Sequence, residues 1–215
     1  MKRNQVAAVS VCLIGIITVG VIYILQPAPL NISDLSWGVE VNDTYTFDIG
    51  TWGESYGGTY TSSQVHPLNG TSITVIVTYL PAFDAVHDAE SFSSEIIFRN
   101  KVTCTFVNGT ALDEWANTTL CRVISGSILP IGDWSSLDQL FPGDIPSSWN
   151  PGEDAIATVL FNTRFLIEYK WWGSIDGFGG WRGNVTLSTG APSSIVWYYS
   201  HGLTGPLTIE LNRIV

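Results

Sequence analysis

Positive charge is scarce in this 215-residue chain: Lys and Arg number 9 against 19 Asp and Glu, a net charge of −10. Phosphate binding needs clustered Lys and Arg, so nucleic acid is excluded as a partner. Charged residues of both signs make up only 13%, about half the share usual in soluble domains. Internal repeats are absent and Lys and Glu are few, which excludes collagen-like and coiled-coil classes. Cysteine is limited to three residues with no C-x-x-C pair, and neither a Walker A nor an H-E-x-x-H motif occurs. No cofactor is expected. Apolar residues, by contrast, reach 45% and aromatics 12%, with 9 Trp. That is ample material for a core and excludes disorder throughout.

The longest uncharged run is Val6–Leu25, 20 residues. A helix rising about 1.5 Å per residue crosses a hydrocarbon layer of about 30 Å with roughly that length. Lys2 and Arg3 precede it and no basic residue follows until Arg99, so the positive-inside rule keeps the N-terminus in the cytoplasm. A cleaved signal peptide is the alternative. Its apolar region is shorter, about 7–15 residues, and ends at a small-x-small site, whereas Gln26-Pro27-Ala28-Pro29 follows here. The expected organisation is a transmembrane signal-anchor over 1–26, a linker over 27–36 and one extracytoplasmic domain over 37–215. Beyond the anchor the chain holds 7 basic and 19 acidic residues, net −12, which repels anionic headgroups and nucleic acid alike.

Two features agree with an exterior placement. Asn-x-Ser/Thr triplets occur at Asn31, Asn42, Asn69, Asn108, Asn117 and Asn184, 6 of 11 asparagines. With Ser and Thr near a fifth of the chain, chance predicts about two, so glycosylation is expected. The cysteines outside the anchor are Cys104 and Cys121. A disulfide between them would stabilise the fold by about 3 kcal/mol in the chain-entropy model. The alternative is two buried thiols acting as small hydrophobes.

Period-two alternation dominates the rest. Val39, Val41, Tyr45, Phe47 and Ile49 oppose Glu40, Asn42, Thr44, Thr46 and Asp48. Similar runs begin at Ile73, Ile96, Phe161, Val185, Ile195 and Leu207, and Cys121 with Val123 reads as a short strand. Eight or nine strands joined by Gly, Pro, Asn and Ser turns predict a mainly β fold: an antiparallel sandwich, barrel or curved half-barrel. One short helix is expected at Trp134–Phe141, capped by Asp133 or Ser136 and stopped by Pro142, with a further turn or two at Asp84–Phe92. Segment 142–153 reads as a loop. The last third reads as a meander with breaks at Gly173–Gly183, Gly190–Ser194 and His201–Pro206. Trp171, Trp197 and Tyr199 then share a face with Phe165 and Tyr169, which forms either a filled core or an apolar cavity.

Motifs for chemistry are weak. Gly53-Glu54-Ser55-Tyr56-Gly57 matches G-x-S-x-G, yet a poor helix follows it and the βα alternation of that hydrolase fold is missing. Ser55 therefore reads as part of a glycine-rich loop, with a serine hydrolase as the remote alternative. Asp84, His87, Asp88 and Glu90 match no known metal-ligand spacing and read as a solvated face, so no metal site is assigned. Gly177–Gly183 fails G-x-G-x-x-G at Arg182 and reads as a wide turn. His66 and His201 read as loop or surface residues. Most of the tryptophans read as core or rim aromatics, with carbohydrate stacking as the alternative, for which Trp52, Trp149 and Trp181 in expected loops are the exposed candidates.

The strings Trp37–Phe47, Leu129–Ser135 and Thr189–Tyr199 resemble uncharacterised archaeal membrane-anchored cell-surface proteins with a β-rich exterior domain. That resemblance implies a location and carries no functional residues with it. The terminal meander is similar to the curved sheet of lipoprotein-carrier domains in topology alone. The expected function is a non-enzymatic binding or structural module of the cell envelope. Its partner would be an envelope protein or an apolar small molecule. The alternative is a carrier or sensor of a lipid-like ligand on Phe165, Tyr169, Trp171, Trp197 and Tyr199.

Overall fold

The computed structural model of the chain describes residues 34–99, 101–141, 154–173, 177–201 and 205–214. The expected anchor, Asn31 and Trp149 lie outside these residues. No helix among the described residues is long and apolar enough to cross a membrane.

The described residues form eight strands: β1 (Thr44–Trp52), β2 (Ser72–Tyr79), β3 (Lys101–Phe106), β4 (Asp154–Leu160), β5 (Arg164–Gly173), β6 (Gly177–Thr186), β7 (Pro192–Ser200) and β8 (Leu207–Ile214), of which β4 lies outside the alternating runs expected from the sequence. All pairings are antiparallel, in the order β3-β2-β1-β8-β7-β6-β5-β4. Two meanders thus meet where the first strand pairs with the last. One sheet takes the place of the two that a sandwich would need. Its inner face is covered by helices: α1 (Ser62–Val65) between β1 and β2, α2 (Ala89–Phe92) between β2 and β3, and α3 (Glu114–Gly126) and α4 (Trp134–Leu140) in the long β3–β4 connection. A π-helical segment, Ser93–Ile97, continues α2.

Register lines up the inner face in rows. Trp171, Gly179, Tyr199 and Leu207 lie side by side, then Tyr169, Trp181, Trp197 and Ile209, then Ile167, Gly183, Ile195 and Leu211. Most are buried, each large one worth about 1.5–3 kcal/mol of apolar transfer. On β1, Phe47 and Ile49 are buried while Asp48 faces water, as the alternation predicts.

Several expectations are corrected. Cys121 and Val123 belong to α3, because Asp113 caps it through Ala116 N at 2.7 Å and Ala116, Leu120, Val123 and Ile124 form one buried stripe. Ile96 lies in the π-helical segment and Phe98 just after it. The run from Phe161 splits, since Phe161 sits in the turn between β4 and β5 and its N–H donates to Arg164 O at 2.9 Å. Val39 and Val41 precede β1, because Asn42 adopts φ +80° and turns the chain there. The expected turn Gly177–Gly183 is strand β6, where missing side chains make room for neighbours: a Cβ on Gly179 would lie 2.7 Å from the Trp171 ring. The expected helix at Trp134 is present, with Asp133 accepting from Ser136 N at 3.1 Å.

The three strings noted in the sequence meet at one end of the sheet. Ser36 and Ile131 exchange both backbone hydrogen bonds, and Leu129 N donates to Gly190 O at 2.9 Å. Gly190 has φ +69°, and a Cβ there would sit 1.9 Å from Leu129 O, so only glycine closes this contact.

Candidate functional site

Two places on the inner side of the sheet concentrate chemistry: a set of aromatic rings and a groove beside two cysteines.

Three of the five residues singled out for an apolar ligand, Trp171, Trp197 and Tyr199, are brought together, and Tyr169 joins them only by way of Trp181, the neighbour of Trp197 in the sheet. Trp171 stacks on Tyr199 with centroids 5.8 Å apart, Trp197 lies 6.5 Å from Tyr199, and Tyr169 lies 6.1 Å from Trp181. Phe165 stands apart, under Trp134 at 4.9 Å. The space over the rings is taken by the chain itself. Tyr60 lies edge-on to Tyr199 at 4.8 Å, to Trp197 at 5.2 Å and to Trp171 at 6.1 Å. Trp115 of α3 approaches Trp197 at 6.1 Å and Tyr60 at 6.0 Å. These tilted and edge-on arrangements are the favoured ones for ring quadrupoles. The loop carrying Tyr60 is pinned by Thr59 N, which donates to Tyr199 Oη at 3.0 Å. Burial pushes the Tyr60 phenol above its ordinary range. The indole N–H groups of Trp115 and Trp181 are buried without an acceptor among the described residues.

The second place is a groove of about 490 Å³ between Ile97, Phe98 and Val102 on one side and Thr118, Cys121, Arg122 and Ser125 of α3 on the other. Arg122 donates to Tyr169 Oη at 3.3 Å, with its guanidinium 5.6 Å from the centre of that ring, and Tyr169 donates to Asp154 Oδ2 at 2.6 Å. This chain of contacts ties α3 to β5 and to edge strand β4. Burial and then the Asp154 carboxylate push the Tyr169 phenol up. Cys121 is half-buried on the groove, whereas Cys104 on β3 is 5% exposed. Their sulfurs lie 3.2 Å apart as free thiols, and Cys121 Sγ also reaches Asn117 Oδ1 at 3.4 Å. Sequence reasoning found the two cysteines but not the groove. The Asp113-Glu114 start and the stripe Ala116, Leu120, Val123 and Ile124 were the signal that would have placed Cys121 on a helix beside it.

The remaining singled-out residues fall elsewhere. Ser55 is 1% exposed and its hydroxyl donates to Gly57 O at 3.0 Å. His66 is exposed, and its Nε2 lies 2.9 Å from Gly53 O. Asp88 caps α2 through Ser91 N at 2.8 Å, and that hydroxyl and amide hold its carboxyl below the usual range. Among the described residues no three His, Cys, Asp or Glu side chains converge as metal ligands would. Trp52 is 47% exposed, but Trp181 is buried in β6 against Gly126 of α3. Asn42, Asn69, Asn108 and Asn117 are exposed, whereas Asn184 is half-buried and its amide donates to Ser194 Oγ at 3.0 Å.

On the opposite face of the sheet, Glu168 is buried between Arg182 at 3.2 Å, Lys170 at 3.5 Å and Tyr198 Oη at 3.3 Å. This ties three strands together. Comparison with protein families, with curated proteins and with solved structures found no match to this chain.

Proposed function

We propose that this protein is a non-enzymatic binding or structural module of the cell envelope. Residues 6–25 tether it, the N-terminus lies in the cytoplasm and the β-domain lies outside. The observation that supports this reading best is the filling of the inner face by the protein's own rings, Tyr60 and Trp115 lying over Trp171, Trp197 and Tyr199. A sheet packed this way is a stiff scaffold, and recognition then falls to its outer surface and loops. Trp52 at the end of β1 and Tyr56 on the loop after it, 47% and 78% exposed, are the rings such a surface offers to an envelope partner. The sequon excess and the acidic exterior fit the same placement, as does the resemblance to anchored archaeal surface proteins.

Carriage of an apolar ligand is the second reading. Its support comes from the groove at Ile97, Phe98 and Val102 rather than from the ring-filled face. Native mass spectrometry of the full chain in detergent separates the two. The scaffold reading expects the bare polypeptide mass after detergent release. A stoichiometric lipid adduct that disappears in a groove-filling Val102→Trp variant would overturn it in favour of carriage.

A further inference from the structure

We propose that Cys104 and Cys121 are a thiol–disulfide exchange pair: Cys121 meets the disulfide of a partner polypeptide in the groove, and Cys104 resolves the adduct. This keeps the scaffold but replaces its non-enzymatic part with redox chemistry at one groove, and it stands on the geometry of the pair, independent of the membrane tether.

The argument rests on asymmetry. A disulfide with one accessible sulfur is more open to exchange than one sealed on both sides. Here Cys104 is buried beneath Cys121, while Cys121 lines a groove of about 490 Å³. An incoming sulfur therefore has an approach to Cys121 and none to Cys104. The 3.2 Å between the sulfurs places the second thiol within reach of the first without movement of either element. The apolar wall of Ile97, Phe98 and Val102 gives a peptide side chain a seat beside the reacting sulfur. The thiolate is the nucleophile in such exchange. When Cys121 ionises, Cys104 keeps its proton and donates to it. That hydrogen bond holds Cys121 below its ordinary range and, with burial, pushes Cys104 up.

The step balances. Cys121 thiolate attacks one sulfur of the substrate disulfide, forming a Cys121–S bond and expelling the other sulfur as a thiolate. That thiolate takes a proton from solvent, Cys104 releases its own proton to solvent and attacks Cys121 Sγ, and the remaining half is expelled as a second thiolate, which takes a further proton from solvent. The substrate disulfide gains two electrons and becomes two thiols, and the pair becomes a disulfide.

The test uses the full chain in detergent, with Cys12→Ser as background so that only the two cysteines report. Reduced protein is incubated with oxidised glutathione or with a disulfide-bonded peptide carrying leucines beside its cysteines, then alkylated and mapped by mass spectrometry. The expected result is a stable adduct at Cys121 in C104S, none at Cys104 in C121S, and passage of the parent protein to the internal disulfide. Circular dichroism checks that the variants fold. If they do not, the parent protein decides alone: excess reduced glutathione should reopen its disulfide. The peptide should react about tenfold faster than oxidised glutathione, a difference of about 1.4 kcal/mol. An internal disulfide that resists excess glutathione, or a folded C104S that takes no adduct, would overturn the exchange role. Equal rates for the two probes would overturn the polypeptide assignment.

Discussion

Tyr60 does the work of a ligand on the inner face, since its ring contacts Trp115, Trp171, Trp197 and Tyr199 at once. Tyr60→Ala removes that wedge and leaves a gap lined by rings. A loss of about 3 kcal/mol is expected, read as a lowered urea midpoint with a weakened near-ultraviolet aromatic signal. Gly126 makes a second residue-scale case, in which two effects oppose each other. Alanine has the higher helix propensity by about 1 kcal/mol. A Cβ at Gly126, however, would lie 2.6 Å from Trp181 Cζ2, and forcing such overlap costs about 1–3 kcal/mol. Gly126→Ala is therefore expected to lower the melting temperature, and a rise would show that the Trp181 ring yields easily. Such contacts are not legible in a sequence, because Gly126 and Trp181 are far apart in the chain and meet only when α3 lies on β6.

At the scale of elements, the strands with one wet face were legible. Phe47 and Ile49 point inward and Asp48 outward, because a period of two leaves a direct imprint on the chain. Two elements were not. Helix α3 carries Thr118, Thr119 and Val123, β-branched residues that favour strands in isolation. Tertiary burial of Ala116, Leu120 and Ile124 outweighs that preference. Strand β6 is masked by its glycines, whose role is to admit Trp171, Tyr198 and Ser127 from neighbouring elements. The candidate site was legible to a similar degree: the ring-bearing residues were found, whereas Tyr60 and Trp115, which cover them, come from a loop and the unrecognised helix. Since α3 rests on its Asp113 cap, Asp113→Ala should cost about 1 kcal/mol. Hydrogen exchange should show the added fraying in the first turn of α3 and leave β5–β8 protected.

The whole molecule is held by one sheet whose first and last strands pair, so loss of either meander exposes the shared core. Its half-buried phenols and the buried Tyr169 make the fold sensitive to alkali. Burial and the Asp43 carboxylate push Tyr45 up to about 12. Burial pushes Tyr60, Tyr169 and Tyr198 up as well, the last two reinforced by Asp154 and Glu168. A raised phenol stays protonated when folded, whereas an unfolded one ionises near pH 10. Stability from Tyr45 is thus complete below about pH 10 and declines as pH rises through about 12, and the other three phenols act in the same direction. Urea midpoints at pH 8 and pH 11 check this, and the second should be clearly lower. The proposed tether bears on the molecule as a whole too, because the proposed envelope role requires the domain to stand on the outer side. Protease treatment of intact cells producing the full chain with different epitopes at its two ends tests that placement most directly. The account predicts that the C-terminal epitope is lost while the N-terminal one survives on a membrane-bound fragment. A C-terminal epitope that resists the protease until the cells are lysed would contradict it.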